Sequence, residues 1–185
     1  MGSIMFSTLN LIQAKREDFV TFWSRRYPDK DDAWYRENMN RPLTQKRAQN
    51  LFRWKNGSPL SGRKQASVDA HFINRLNELE QFGADFEPRT FLNNFSGSGP
   101  IWRIFFLHVH RPERFPIFDQ HTYRAMRYIK NDNIAELPVD PGQIIDTYLN
   151  EYCQFYQEFG RGTNREVDKA LWVFGKFLKS RYNPS

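Results

Sequence analysis

Apolar residues recur every three or four positions along most of the chain, which is the spacing of helices that bury one face. The pattern predicts one helix from Gln65 to Phe82, ended by Gly83, and a longer one that begins at Pro141 and ends at Gly160. No segment of useful length alternates apolar and polar residues as a strand does. The sequence therefore predicts an all-α, compact multi-helix fold.

Shorter helices are predicted at both ends of the chain. An apolar face at residues 19–23 indicates a first helix that ends near Pro28, and the acidic residues at 29–32 suit the start of a second. The last helix is predicted to begin at Thr163 or Asn164.

One stretch carries candidate chemistry: Phe95-Ser96-Gly97-Ser98-Gly99-Pro100-Ile101, followed about twenty residues later by Phe118-Asp119-Gln120-His121. The two glycines would let the backbone take left-handed or sharply turned angles, so that successive N–H groups point outward at the start of the next helix. Such a turn binds phosphate well. Asp119 is predicted at the N-cap of a second helix, near this phosphate site.

Composition favours a single domain with an anionic partner. The chain has 185 residues, enough for one compact domain over residues 1–185. Lys and Arg number 27 against 21 acidic residues, which gives a net charge of +6 and favours a polyanion. The turn-rich segment 56–64 carries part of this charge and is either a solvated loop or a nucleic-acid contact, the solvated loop being the simpler interpretation.

Cysteine content and hydropathy indicate the compartment. Cys153 is the single cysteine, which excludes a disulfide framework and a four-cysteine metal site and favours a reducing environment. The sequence shows no signal peptide and no apolar run of the about 20 residues that a membrane helix needs. We expect a cytoplasmic protein with no membrane partner.

The glycine-rich stretch and the acid after it resemble the helix-hairpin-helix superfamily of DNA glycosylases. Members carry a hairpin of the form Leu-Pro-Gly-Val-Gly-x-Lys, a buried helix, and then Val-Asp-x-His before the next helix. Here residues 95–101 align with the hairpin and residues 118–121 with the acid motif, over about a fifth of the chain. The resemblance implies an enzyme that cuts the bond between a base and its sugar in double-stranded DNA after flipping the nucleotide out of the stack.

The resemblance also implies roles for individual residues. Asp119 matches the essential carboxylate, which supports positive charge on the sugar or positions the attacking water. Gly97, Ser98 and Gly99, with Ile101 beside them, match the hairpin that contacts the DNA backbone. No metal or other cofactor is implied. Judged by residue type alone, Asp119 is also a favoured helix cap, and capping is compatible with catalysis.

One position departs from the superfamily pattern. The bifunctional members carry a lysine directly after the hairpin, and its amine attacks the sugar to form a Schiff base; here that position is Ile101. The sequence therefore predicts a monofunctional enzyme without lyase activity. Trp102 is similar to a tryptophan just after the hairpin of the alkyl-purine branch, displaced by one residue.

Further residues are candidate contacts with DNA or with the flipped base. Arg103 would contact the DNA backbone or lie on a solvated face, and Arg124 would contact a phosphate or pair with an acid. His108 and His110 do not share a helix face, so a metal site formed with His121 is not expected. The candidates for the base pocket are Trp54, Trp102, His121 and Trp172, with burial in the core as the alternative for the tryptophans.

Two functions follow from these observations. The first is a DNA glycosylase that removes a modified or mispaired base by hydrolysis; the second is an inactive module of the same fold that binds DNA or a modified base. The segments 54–57 and 167–172 are similar to a compact group with the oxoguanine glycosylase fold, some of them encoded beside bacterial antiviral genes. That similarity implies protein partners from a defence system and a location at the bacterial nucleoid.

Overall fold

The computed structural model describes residues 16–39, 42–160 and 162–182. These residues form helices joined by turns and contain no strand, which confirms the all-α prediction. None of the helices in these ranges is long and apolar enough to cross a membrane. The elements are α1 (Arg16–Ser24), α2 (Asp29–Asn38), α3 (Gln45–Asn56), α4 (Gly62–His71), a 3₁₀ segment (Ile73–Gln81), α5 (Pro88–Asn94), α6 (Pro100–His110), α7 (Gln120–Asn131), α8 (Pro141–Thr147), a π-helical turn (Tyr148–Tyr152), α9 (Cys153–Gln157) and α10 (Arg165–Tyr182).

The chain divides into two compact units. The described parts of residues 1–27 and 112–185 form the first unit, and those of residues 28–111 form the second. The glycine-rich stretch therefore belongs to the second unit and Asp119 to the first. The single domain expected over residues 1–185 stays a prediction.

Aromatic rings fill the core of the first unit, where α10 packs against α1 and α7. Phe174 on α10 is fully buried, and its ring centroid lies 5.3 Å from that of Phe19 and 5.7 Å from that of Tyr128. The next residue, Gly175, lies against the α7 backbone: a methyl group there would be 1.9 Å from the carbonyl oxygen of His121. The two helices approach this closely because residue 175 has no side chain.

Phenylalanines fill the core of the second unit around α6. Phe72 lies between two fully buried rings, with centroids 4.9 Å from Phe52 and 5.0 Å from Phe106. Phe95, in the turn before α6, lies 4.9 Å from both Phe91 and Phe106. The turn between α5 and α6 is thereby anchored to the core.

The structure corrects one predicted helix. The helix expected from Gln65 to Phe82 breaks at Phe72, whose backbone angles (φ −133°, ψ −53°) are not helical, and continues only as the 3₁₀ segment. The apolar spacing is regular across the break, so local pattern gave no sign of it. Packing of the Phe72 ring between Phe52 and Phe106 outweighs the local helical preference.

The other helix boundaries agree more closely with the predicted ones. Pro141 is the first helical residue, as predicted, with Asp140 as its N-cap. The predicted long helix that follows runs from Pro141 to Gln157, but it contains the π-helical turn, which the apolar spacing did not indicate. The last helix begins at Arg165, one residue after the later of the two predicted starts.

Candidate functional site

The candidate site residues of the second unit lie at the turn between α5 and α6. We call this turn, residues 95–99, the glycine turn. α5 begins with Pro88 and is capped by Glu87, whose carboxylate accepts from the N–H groups of Arg89 and Thr90 at 2.9 and 2.5 Å. Gly99 is the N-cap of α6, and Pro100 is its first residue. The sequence stretch predicted to form a turn at a helix start therefore does so.

The left-handed backbone angle, one of the two options predicted for the glycines, does not occur. Neither Gly97 nor Gly99 has a positive φ, and Gly99 is extended (φ −61°, ψ 151°). At Gly97 a methyl group would lie 2.3 Å from Nδ1 of His71 on α4, so the His71 side chain would have to move to make room for it. The predicted turn at a helix start is therefore confirmed, and it forms without a left-handed glycine.

The start of α6 presents backbone N–H groups for which the described residues provide no acceptor. Within the part of the chain that the structure describes, the N–H groups of Gly97, Ser98, Gly99 and Ile101 have no acceptor. Pro100 between them has no N–H, and Ile101 is half-buried in the first turn of α6. Four free donors at the start of an eleven-residue helix form a region of positive potential.

Arg103 is buried next to this region. Its burial does not fit the predicted direct contact with the DNA backbone or the alternative of a solvated face. The side chain is on the first turns of α6 and the residue is only 8 % exposed. One terminal nitrogen donates to the Leu92 carbonyl at 3.2 Å, and Nε has no partner in the described ranges. Burial lowers the pKa of Arg103. The guanidinium therefore contributes charge from beneath the surface instead of meeting a phosphate directly.

In the first unit, Asp119 is the N-cap of α7, as predicted. Its Oδ1 accepts from the N–H groups of His121 at 2.8 Å and Thr122 at 3.1 Å. The Asp119 N–H in return donates to the Thr122 hydroxyl at 2.9 Å, which completes a capping box. The half-buried carboxylate is thus held in one orientation by its own helix.

Three further residues join Asp119 in what we call the Asp119 cluster: His121, Trp172 and Lys176. The ring centroids of His121 and Trp172 are 5.3 Å apart, and Lys176 Nζ lies 4.9 Å from the centre of the Trp172 ring. Burial lowers the pKa of His121, and the charges of Arg124, Lys176 and Lys179 add to that effect, while Asp119 opposes it. A carboxylate, an aromatic face and a cation thus meet at one end of α7.

The other two predicted pocket residues, Trp54 and Trp102, lie in the second unit and pack against different rings of its core. Trp54 packs against Tyr35, with 4.8 Å between ring centroids, and against Phe105 at 6.0 Å. Trp102 lies 5.6 Å from Phe52. Both rings are half-buried against the phenylalanine core, the alternative that the sequence left open for them.

Arg124 pairs with an acid, which was the second of its two predicted roles. The residue is 0 % exposed; its terminal nitrogens donate to the Gly175 carbonyl at 3.1 Å and to Glu136 Oε1 at 2.5 Å. Burial raises the pKa of Glu136, but the hydrogen bonds from Arg124 and Gln120 and the charge of Arg124 outweigh it and hold that pKa below its usual range. The other predicted role, a contact between Arg124 and a DNA phosphate, does not fit the structure, because the guanidinium is enclosed.

The remaining histidines are occupied with other partners. His108 Nε2 lies 2.6 Å from the Tyr35 hydroxyl, and His110 Nε2 lies 3.1 Å from the Phe82 carbonyl oxygen. In the described ranges, no group of three or more His, Cys, Asp or Glu residues is arranged to hold a metal ion.

Sequence reasoning missed Lys176 and the structural role of Tyr152. Trp172 and Lys176 are four residues apart on one helix, a spacing that places side chains side by side and could have indicated the pair. Tyr152 lies within the long helix predicted from Pro141 to Gly160, and its hydroxyl is buried. Because a buried tyrosine hydroxyl needs a partner, a tyrosine on the buried face of that helix indicates an acceptor nearby.

Comparison with known proteins adds no relative. No family model matches the chain, and neither a curated protein nor a solved structure is significantly similar to it.

Proposed function

We propose that the protein binds DNA through the glycine turn and removes a modified or mispaired base by hydrolysis, with Asp119 as the catalytic carboxylate. The observation that carries the proposal is the glycine turn itself. Four N–H groups at the start of α6 have no acceptor in the described chain. The buried guanidinium of Arg103, for which the same residues provide no acid, lies one turn further on.

A phosphate is the ligand that satisfies both features. Backbone N–H groups at a helix start bind phosphate oxygens, and the helix dipole favours the negative charge. A buried cation without a counterion is costly, and an anion nearby offsets part of that cost. Contacts of this kind hold the DNA backbone and read no sequence, so affinity is expected to be similar for different sequences.

The Asp119 cluster supports the chemical step. Hydrolysis breaks the bond between base and sugar, joins the oxygen of water to the sugar carbon and leaves a proton of the water with the departing base. Positive charge develops on the sugar, and a fixed carboxylate such as Asp119 stabilises it or orients the water. Trp172, half-buried beside His121, supplies an aromatic face on which a flipped base can stack.

A second function is favoured by one observation: the capping bonds of Asp119 are sufficient to explain its presence. In that case the protein is a module that recognises DNA or a modified base without cutting it, as a subunit of a defence assembly.

One assay separates the two functions. Duplexes that each carry one damaged or modified base are incubated with the protein and then treated with alkali, which breaks DNA at abasic sites. Alkali-dependent breaks at the modified base support the enzyme. Binding of the same duplexes without breaks supports the module, and absence of binding to any of them contradicts both.

Removing the buried charge under the glycine turn is expected to weaken DNA binding. Arg103→Met keeps most of the side-chain volume, so we expect unchanged or slightly higher stability and about tenfold lower affinity at low salt. Arg53→Met is the matched control, because Arg53 is exposed on α3 and the same formal charge is lost. Fluorescence anisotropy with a labelled duplex measures both. Equal effects of the two substitutions would mean that net charge alone drives binding.

No covalent adduct with DNA is expected on borohydride reduction. Ile101 stands where a Schiff-base lysine would be, and an alkyl side chain cannot attack the sugar. Incubation with a duplex containing an abasic site, followed by reduction and denaturing electrophoresis, measures trapping. Ile101→Lys is the informative companion: trapping by this variant alone would place residue 101 beside the sugar, whereas trapping by the unmodified protein would contradict the prediction.

A further inference from the structure

The backbone that leads into Asp119 is held by buried side chains of the same unit. The Tyr148 hydroxyl donates to the Pro116 carbonyl and the Tyr152 hydroxyl to the Ile117 carbonyl, each at 3.1 Å. The Ile117 N–H donates to Oδ1 of the buried Asp168 at 3.4 Å. The segment 116–118 is therefore bonded at both of its peptide groups just before the candidate catalytic carboxylate.

Tyr152 reaches Asp119 through the backbone, because its hydroxyl donates to the carbonyl of Ile117, two residues before Asp119. The Thr122 hydroxyl is engaged with Asp119 itself: it accepts from the Asp119 N–H at 2.9 Å and donates to the Asp119 carbonyl at 3.2 Å. Burial, together with the charge of Asp168, holds the pKa of Tyr152 well above its ordinary value, so the hydroxyl keeps its proton.

The π-helical turn explains how two tyrosines four residues apart serve the same segment. Tyr148 and Tyr152 are its first and last residues, and both are fully buried. Their rings are nearly parallel, with 24° between planes and 6.1 Å between centroids, and their hydroxyls bond consecutive carbonyls. Short π-helical turns of this kind occur frequently at functional sites.

We propose that Tyr152 is a positioning residue for Asp119, and that its hydroxyl fixes the direction of the Asp119 carboxylate through the backbone at Ile117. The inference rests on the proposed function in one respect, namely that Asp119 acts on DNA. The placement of the carboxylate is nevertheless measurable without DNA, because Asp119 Oδ1 protects the amides of His121 and Thr122.

Amide hydrogen exchange of the full chain, followed residue by residue by NMR, tests the proposal. Tyr152→Phe is expected to speed exchange at His121 and Thr122 by about three- to tenfold relative to the amides in the middle of α10, as loss of one hydrogen bond implies. Tyr148→Phe, whose bond is one residue further from Asp119, is expected to act in the same direction and less strongly.

Tyr156→Phe is the matched control. Tyr156 is also buried, and its hydroxyl donates to the Asn164 carbonyl at 2.6 Å and accepts from the Asn164 N–H at 3.0 Å, but in the described chain it makes no bond to residues 116–122. Titration of His121 gives a second measure. The charge of Asp119 raises the pKa of His121, whereas the charges of Arg124, Lys176 and Lys179 lower it. A displaced Asp119 carboxylate therefore lowers the pKa of His121, and Asp119→Asn gives the full size of that decrease. Equal exchange in the Tyr152 and Tyr156 variants overturns the inference. If Tyr152→Phe does not fold, exchange at His121 and Thr122 is compared between Tyr148→Phe and Tyr156→Phe, and equal exchange in these two variants overturns the inference.

Activity then separates this inference from the proposed function. If the unmodified protein releases a base, Tyr152→Phe is expected to lower kcat about tenfold while the Kd for DNA is unchanged. If the unmodified protein releases no base and Tyr152→Phe still speeds exchange at His121 and Thr122, the proposed function is wrong and the positioning is upheld.

Discussion

Gly175→Ala is expected to destabilise the first unit by about 3 kcal/mol, a large effect for one methyl group. The added carbon would lie 1.9 Å from the His121 carbonyl oxygen and 2.6 Å from its carbon, and both are backbone atoms that no rotamer change can move. α7 and α10 would have to separate. That separation would also lengthen the bond from Arg124 to the Gly175 carbonyl.

The matched control is Gly62→Ala. Gly62 also lies in a helix, and a methyl group there meets no atom within 4 Å, so we expect a change within about 1 kcal/mol, because alanine favours helices. Urea unfolding followed by circular dichroism compares the midpoints of both variants with that of the unmodified protein. If Gly175→Ala is no less stable than Gly62→Ala, the close contact between the two helices is incorrect.

Asp119→Asn is expected to reduce formation of abasic sites by about a thousandfold or more while DNA affinity is nearly unchanged, because the charge that stabilises the sugar is lost. Stability should change little, since asparagine caps helices about as well as aspartate and its side-chain oxygen can still accept from His121 and Thr122. The substitution therefore separates catalysis from capping. Quantifying alkali-dependent strand breaks over time measures the rate.

Asp140→Asn provides the matched control for this prediction. Asp140 is the N-cap of α8 in the same unit, where its carboxylate accepts from the Gln143 N–H at 2.7 Å. It should be as stable and as active as the unmodified protein. A rate that is equally low in both variants would indicate a general effect of lost caps, and an unchanged rate in Asp119→Asn would leave Asp119 as a cap only.

The parts of the structure that depend on near neighbours were predictable from the sequence. Asp119 caps α7 and Pro141 begins α8, because capping and helix starts are decided by groups within three or four residues. The absence of an amine at Ile101 is likewise a property of one residue. Helical spacing was sufficient to predict the all-α class.

Burial and pairing across the chain were decided only by the tertiary structure. The break at Phe72, the enclosure of Arg103 and Arg124, and the contact between His121 and Trp172 each depend on residues distant in sequence. The apolar period shows that a helix has a buried face, but it does not show which ring or charge that face meets, because the partner comes from another element.

The candidate site shows both contributions. The sequence by itself determined that a turn precedes α6 and that an acid begins α7, since each depends on local backbone chemistry. Only the tertiary structure showed that the N–H groups of the turn have no acceptor in the described chain, and that Tyr152 holds the segment before Asp119. Hydrogen bonds between distant elements require both partners to be placed by packing, which no single stretch of sequence specifies.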